Sequence, residues 1–233
     1  MTMNVPELIV ALDVGSLHEA ETLLVALKDT VRFYKVGLRL FTAHGKRAVD
    51  LVRRHGGEVF LDLKLHDIPQ TVEHAVEEVR RLGAYSLSLH LSGGAAMLEA
   101  AAAVHPRPKL WGVSVLTSLG PEDLHALHPR ASVEPMVLRL AKLGAAHGMD
   151  GTICSGREVP ALRKALGEEA CFITPGIRPA EAELHDQKRS ITPTQAARLG
   201  IRYAVVGRPI AKAESPLRAA QDMVSEMLAA GPL

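Results

Sequence analysis

Charged residues cluster at or just beyond the ends of three short apolar runs: Asp13 after LIVAL, Lys35 within RFYKV, and Asp62 and Lys64 within EVFLDLKL, with Asp67 following. Their signs alternate, and the spacing Asp62-x-Lys64-x-x-Asp67 sets one amine between two carboxylates. A carboxylate about 4 Å away favours an ammonium by roughly 4 kcal/mol at an effective dielectric near 20, before desolvation is counted. A lysine held this way stays charged and can serve as an acid. The competing account is an ion-pair network that only fixes the strand ends. Withdrawing charges from water is costly and returns little net stability, so a working array accounts better for the pattern.

A second group of residues has the chemistry of an anion site. The segment Thr174-Pro175-Gly176-Ile177-Arg178 follows one late apolar run, and Val206-Gly207-Arg208-Pro209 ends another. Glycine lets backbone N–H groups approach a phosphate, and arginine supplies a forked donor. Between Arg178 and Thr192 lies the polar stretch PAEAELHDQKRS, longer than an ordinary strand-to-helix connection and placed where a lid could close.

The elements that must position these groups are legible as a repeating alternation. Apolar runs at 8–12, 32–36, 58–63, 85–91, 109–115, 151–154, 171–174 and 203–206 predict eight strands. Amphipathic helical spacing lies between them, as in Leu17, Ala20, Leu23, Leu24 and Leu27, and again in Val72, Ala75, Val76, Val79 and Leu82. Ser16 with Glu19 and Ser155 with Glu158 fit the capping-box spacing, and Pro216 after Ser215 marks a helix start. Eight β/α repeats in roughly 250 residues favour a closed (β/α)8 TIM barrel over an open doubly wound sheet. The predicted organisation is one α/β domain spanning 1–233.

Alternation along the strands then assigns faces. It turns Ile9, Ala11 and Asp13, then Phe33 and Lys35, then Phe60, Asp62 and Lys64 towards the barrel interior, and Val59, Leu61 and Leu63 towards the helices. The charged residues thus gather at the C-terminal rim, where barrels of this class carry their active sites, and the two Gly-Arg segments occupy the loops after strands seven and eight, the usual phosphate position.

Composition narrows the choice of partner. The 233 residues carry a formal charge of +1, which gives no reason to expect nucleic acid or a membrane surface. The N-terminal MTMNVPELIVALD has no basic region ahead of its apolar run, so no signal peptide or membrane span is expected and the location predicted is the cytoplasm. Cys154 and Cys171 read as reduced packing residues. No His-Glu-x-x-His or comparable ligand spacing occurs, and His66 and His90 read as rim packing, so no metal is expected.

The run Asp62-Leu63-Lys64-Leu65-His66-Asp67-Ile68-Pro69-Gln70-Thr71 resembles the signature of the orotidine 5'-phosphate decarboxylases. Ala11-Leu12-Asp13, Lys35-Val36-Gly37, Leu116-Thr117-Ser118, Gly176-Ile177-Arg178, Asp186-Gln187-x-Arg189 and Val206-Gly207-Arg208 are similar to that family's other blocks and follow in its order, so the resemblance spans nearly the whole chain. It implies a homodimer with shared sites that decarboxylates orotidine 5'-phosphate without metal or cofactor. Lys64 would be the proton donor, in a charged chain with Lys35, Asp62 and an Asp67 entering from the partner subunit. Asp13 and Lys35 would hold the ribose hydroxyls, Thr71 would cross the interface and Thr117 would help bind the pyrimidine. Gln187 would bridge base and phosphate from the lid, with Arg208 and the Gly207 backbone on the phosphate and Arg178 supporting that end. Gln70 stands where the family commonly shows Asn, a departure that bears on that loop's contacts and not on the charged groups. Two alternatives stay open: a magnesium-dependent sugar-phosphate decarboxylase or aldolase of the same suprafamily, whose acidic ligand at the end of strand two is here replaced by Lys35, and a non-catalytic nucleotide-binding barrel.

Overall fold

The computed structural model describes residues 5–127, 132–179 and 190–231. Eight parallel strands, β1 (Glu7–Ala11), β2 (Phe33–Gly37), β3 (Glu58–Leu65), β4 (Ser86–His90), β5 (Lys109–Val113), β6 (Gly151–Ile153), β7 (Phe172–Pro175) and β8 (Tyr203–Val206), pair in chain order and close into a barrel through β1 and β8. The helices are α1 (Leu17–Leu27), α2 (Leu38–His44), α3 (Lys46–Arg54), α4 (Pro69–Leu82), α5 (Ala95–Ala103), α6 (Pro121–Leu127), α7 (Val133–Ala146), α8 (Val159–Leu166), α9 (Pro193–Arg198), α10 (Arg208–Ala211) and α11 (Pro216–Ala230). The fold is the (β/α)8 barrel that the alternation predicts. Each strand lies within two residues of its expected bounds, and the second and fifth connections each carry two helices where the sequence pattern suggests one.

Local chemistry sets the joints. Ser16 accepts from the Glu19 N–H while the Glu19 carboxylate accepts from the Ser16 N–H, closing the expected capping box on α1. The Ser155–Glu158 box forms as well, but around a single 3₁₀ turn that precedes α8. Ser215 caps α11 by accepting from the Arg218 N–H, with Pro216 in the first turn. Pro69 opens α4, where its missing N–H costs no helical bond.

Two separate cores follow from the strand alternation. Ile9, Ala11, Phe33, Phe60, Trp111, Ile173, Tyr203 and Val205 fill the barrel interior, while Val10, Val36, Val59, Leu61, Leu87 and Leu89 pack against the helices. The interior aromatics interlock, with ring centroids 4.6 Å apart for Phe60 and Trp111 and 4.8 Å for Trp111 and Tyr203. They pack against one another across the barrel interior. Cys154 is buried and Cys171 is partly so, both as free thiols, and burial pushes Cys171 up to about 11, which makes it a poor nucleophile.

Candidate active site

The site begins with an irregularity in β3. Leu61 pairs with Leu87 and Leu65 with Leu89, which leaves Asp62, Leu63 and Lys64 opposite the single residue Ser88. Such a bulge bends the strand that carries it. Lys64 adopts φ 52°, alone among the described non-glycine residues in the left-handed region. That conformation costs on the order of 1–2 kcal/mol and is retained only where surroundings enforce it.

The result is a compact charged cluster. The Lys64 ammonium donates to both Asp62 oxygens, at 2.8 Å to Oδ1 and 2.9 Å to Oδ2, and the Lys35 Nζ lies 3.5 Å from Oδ2. Ser88 Oγ donates to Asp62 Oδ1 at 2.8 Å and accepts from the Lys64 backbone N–H at 2.9 Å. Asp62 is only 8% exposed. Burial pushes its carboxyl up, but the Lys35 and Lys64 charges, with the hydrogen bonds from Lys64 and Ser88, outweigh burial and hold it below the ordinary carboxylate range. Asp62 is therefore an anion at neutral pH, and two cations converge on it.

This cluster forms one wall of a cavity of about 230 Å³, whose other walls include the apolar side chains of Phe60, Val113, Ile153, Ile173 and Val205, with Thr117 at the edge. A second cavity of about 380 Å³ shares Lys35, Pro175 and Val205 with the first and extends to Asp13, Gly176, Arg178, Gly207 and Arg208. The sequence pattern thus brings together Asp13, Lys35, Asp62, Lys64, Thr117, Arg178, Gly207 and Arg208. The two cavities adjoin through their shared residues to form one trough, with cations lining both parts and apolar side chains along the first. Asp13 itself lies two residues past β1 and is exposed, so it sits on the trough's lip and not on the barrel wall.

Other expected residues fall elsewhere. Among the described residues, Asp62 is the one carboxylate within ion-pair distance of Lys64. Asp67 is exposed, and its Oδ1 accepts from the Ile68 N–H at 2.7 Å. Asp67 lines neither cavity of its own chain, so its expected place beside Lys64 depends on the partner subunit, as the resemblance implies. Thr71 and Gln70 are exposed in the first turn of α4 and line neither cavity. Gln187, with Asp186, Arg189 and most of the expected lid, lies outside the described residues. His66 and His90 pack ring to ring with centroids 5.4 Å apart. Burial, His66 and Lys64 push the His90 imidazole down, against an opposing pull from Asp62.

Sequence reasoning missed two residues of the cluster. Ser88 was open to detection, since alternation in Ser-Leu-Ser-Leu-His places Ser86, Ser88 and His90 on the face opposite Leu87 and Leu89. A polar residue aimed into a barrel interior is itself a signal. Gly37 is the other. A β-carbon there would stand 2.7 Å from the Lys35 Nζ, so the missing side chain is what lets the amine fold towards Asp62.

Comparison with known proteins agrees with this arrangement. Residues 6–223 match the model of the orotidine 5'-phosphate decarboxylase / HUMPS family. The orotidine 5'-phosphate decarboxylase of Pelobacter propionicus is 46% identical over 232 residues, covering 97% of each chain. That of Syntrophotalea carbinolica is 46% identical over 233 residues, covering 96% of each. Among solved structures, orotidine 5'-phosphate decarboxylase from Lactobacillus acidophilus superposes with a TM-score of 0.83 at 35% identity, covering 95% of this chain and 99% of that one. With the match extending over every charged residue of the trough, this chain belongs to the orotidine 5'-phosphate decarboxylase / HUMPS family.

Proposed function

We propose that this protein is a carboxy-lyase that converts orotidine 5'-phosphate to uridine 5'-phosphate in pyrimidine biosynthesis, with Lys64 as the proton donor and neither metal nor cofactor in the chemical step. The observation that carries the reading is the Lys64 ammonium, gripped by a buried Asp62 carboxylate beside an apolar cavity that leads to Gly207 and Arg208. The named activity of relatives at 46% identity supports the choice of substrate.

In the proposed reaction the bond between C6 of the pyrimidine and its carboxyl carbon breaks. Its electron pair stays on C6, and CO2 departs into the apolar end of the cavity. Lys64 stabilises the developing negative charge and delivers its proton to C6, and the resulting neutral amine is reprotonated from solvent. Stabilisation by a charge already in place is the main contribution, because the bulge holds the ammonium before the charge appears. Asp62 beside the departing carboxylate adds ground-state repulsion that disappears with CO2. Asp13 and Lys35 are assigned to the ribose hydroxyls and Thr117 to the pyrimidine. Arg208 and the Gly207 N–H are assigned to the phosphate, with Arg178 supporting that end and Gln187 closing from the lid. Phosphate contacts remote from C6 contribute to rate by holding the closed, ordered trough.

A homodimer with shared sites is part of the proposal. Asp67 and Thr71 flank Ile68, whose side chain is 64% exposed, and an apolar group of that size between them fits a face covered by a second copy. Asp67 of the partner subunit would then supply the second carboxylate near Lys64. Location in the cytoplasm is consistent with this assignment. No helix of the described residues is long and apolar enough to cross a membrane.

The alternative of a magnesium-dependent sugar-phosphate enzyme is disfavoured by the Lys35 amine, which β2 carries where that group has its acidic ligand and which already approaches Asp62. Mixing the protein with orotidine 5'-phosphate in the presence of a chelator is expected to bleach the orotate ultraviolet band and to yield uridine 5'-phosphate. A band that persists with chelator and bleaches only on adding magnesium would reject the metal-free reading, and one that never bleaches would reject the substrate.

A further inference from the structure

The β3 bulge leaves the Lys64 N–H without a ladder partner on β4, since Asp62, Leu63 and Lys64 all stand opposite Ser88. An N–H buried and left unpaired costs about 1–3 kcal/mol, and part-burial at Lys64 brings a share of that cost. The Ser88 hydroxyl takes the place of the missing carbonyl and accepts from it at 2.9 Å. Its single proton is committed in the other direction, to Asp62 Oδ1 at 2.8 Å. Ser88 is fully buried, which shields its hydroxyl from solvent.

We infer that Ser88 is a positioning residue which, through one hydroxyl, fixes both the left-handed backbone of Lys64 and the rotation of the Asp62 carboxylate, and so sets the proton donor's place relative to the reacting carbon. The two constraints reinforce each other. The bond to the Lys64 N–H holds the φ 52° conformation that curls the side chain back over Asp62, and the bond to Oδ1 orients the carboxylate so that both its oxygens face the amine. A methyl group at position 88 would leave the N–H unpaired and release the carboxylate to turn between Lys35 and Lys64. Ser88 itself lines neither cavity, so its effect passes through the two residues it holds. Ser86 provides an internal comparison. It lies two residues earlier on the same inward face, equally buried, and its Oγ has no hydrogen-bond partner among the described residues.

The inference rests on the proposed decarboxylation, and its test separates the two. Kinetics with orotidine 5'-phosphate are compared for the wild type and for Ser88→Ala, Ser88→Cys and Ser86→Ala, with thermal unfolding as the check on folding. Ser88→Cys keeps nearly the original volume while weakening both bonds, and it stands in should the alanine variant fail to fold. Expected are a fall in kcat of about 10- to 100-fold for the Ser88 variants with KM changed less than about threefold, and wild-type behaviour for Ser86→Ala. In parallel, the Asp62 carboxyl is titrated by 13C NMR, which needs no turnover. It is expected to titrate at higher pH in the Ser88 variants, because a hydrogen bond to the charged form has been removed. Wild-type kcat together with an unmoved Asp62 titration in folded Ser88 variants would overturn the inference. An inactive wild type would overturn the decarboxylase reading alone, leaving the titration to decide the role of Ser88.

Discussion

Lys64 Nζ reaches both carboxylate oxygens of Asp62, at 2.8 and 2.9 Å, although the two residues lie on the same strand only two positions apart. In a regular strand such neighbours stand side by side on one face, too extended for an amine to cap its neighbour's carboxylate symmetrically. The left-handed turn at Lys64 makes the grip possible. Replacement of Lys64 by alanine is expected to lower kcat by at least about 10⁴-fold, the combined order of a lost general acid and a lost electrostatic stabiliser. The fold should persist, because Asp62 keeps Ser88 and Lys35 as partners. Steady-state kinetics alongside circular dichroism would check both halves, and near-native turnover in a folded variant would remove Lys64 from the mechanism.

Gly37→Ala probes the position of Lys35. The added methyl would stand 2.7 Å from the Lys35 Nζ, and the flexible lysine, not the backbone, is the group able to yield. Stability should change by less than about 1 kcal/mol, since alanine suits an extended backbone better than glycine does. Activity should fall at least about tenfold as the amine leaves its place beside Asp62. Urea unfolding and kinetics measured together test this, and a variant equal to wild type in both would mean that Lys35 has room to spare.

The placement of Asp67 makes a prediction about assembly. The Lys64→Ala and Asp67→Ala variants are each expected to be almost inactive on their own. If Asp67 serves the neighbouring subunit's site, mixing them under subunit-exchange conditions should restore up to about one quarter of wild-type activity, the fraction of sites that receive both intact residues at random pairing. Complete inactivity after demonstrated exchange would show that each chain supplies its own carboxylate.

His90 should add an acid-sensitive contribution to stability. Its imidazole is pushed below the ordinary value of 6.5 in the folded chain, so the unfolded state takes up the proton first as pH falls. The contribution is present above that ordinary value and is lost as pH drops below it towards the folded one. His90→Gln should therefore flatten the pH dependence of Tm between about pH 7 and 5 relative to wild type. An identical slope in the two proteins would assign the acid sensitivity to other groups.

Much of this site was legible in the primary structure, for a definite reason. Strand alternation has a period of two, and a barrel interior excludes water, so a charged residue in an inward position at a strand end stands out against apolar neighbours. Lys35, Asp62 and Lys64 were placed on that argument, and the Gly-Arg segments after the last two strands followed from the fold's phosphate position. Asp67 was harder to place. Its spacing from Lys64 suggests proximity, but the direction of the turn into α4, fixed by the packing of the helix, decides where the carboxylate goes.

By itself the sequence determined the number and order of the strands, the inward set of side chains and the clustering of charge at one rim, because all of these depend on local periodicity. Tertiary structure alone decided how the amines approach Asp62. The bulge exists only where β3 meets β4, the left-handed Lys64 is held by a hydroxyl 24 positions later in the chain, and the second cavity is lined from both β1 and β8, which meet only when the barrel closes. Contacts between residues distant in sequence carry no local signature, so they emerge only when the barrel is complete.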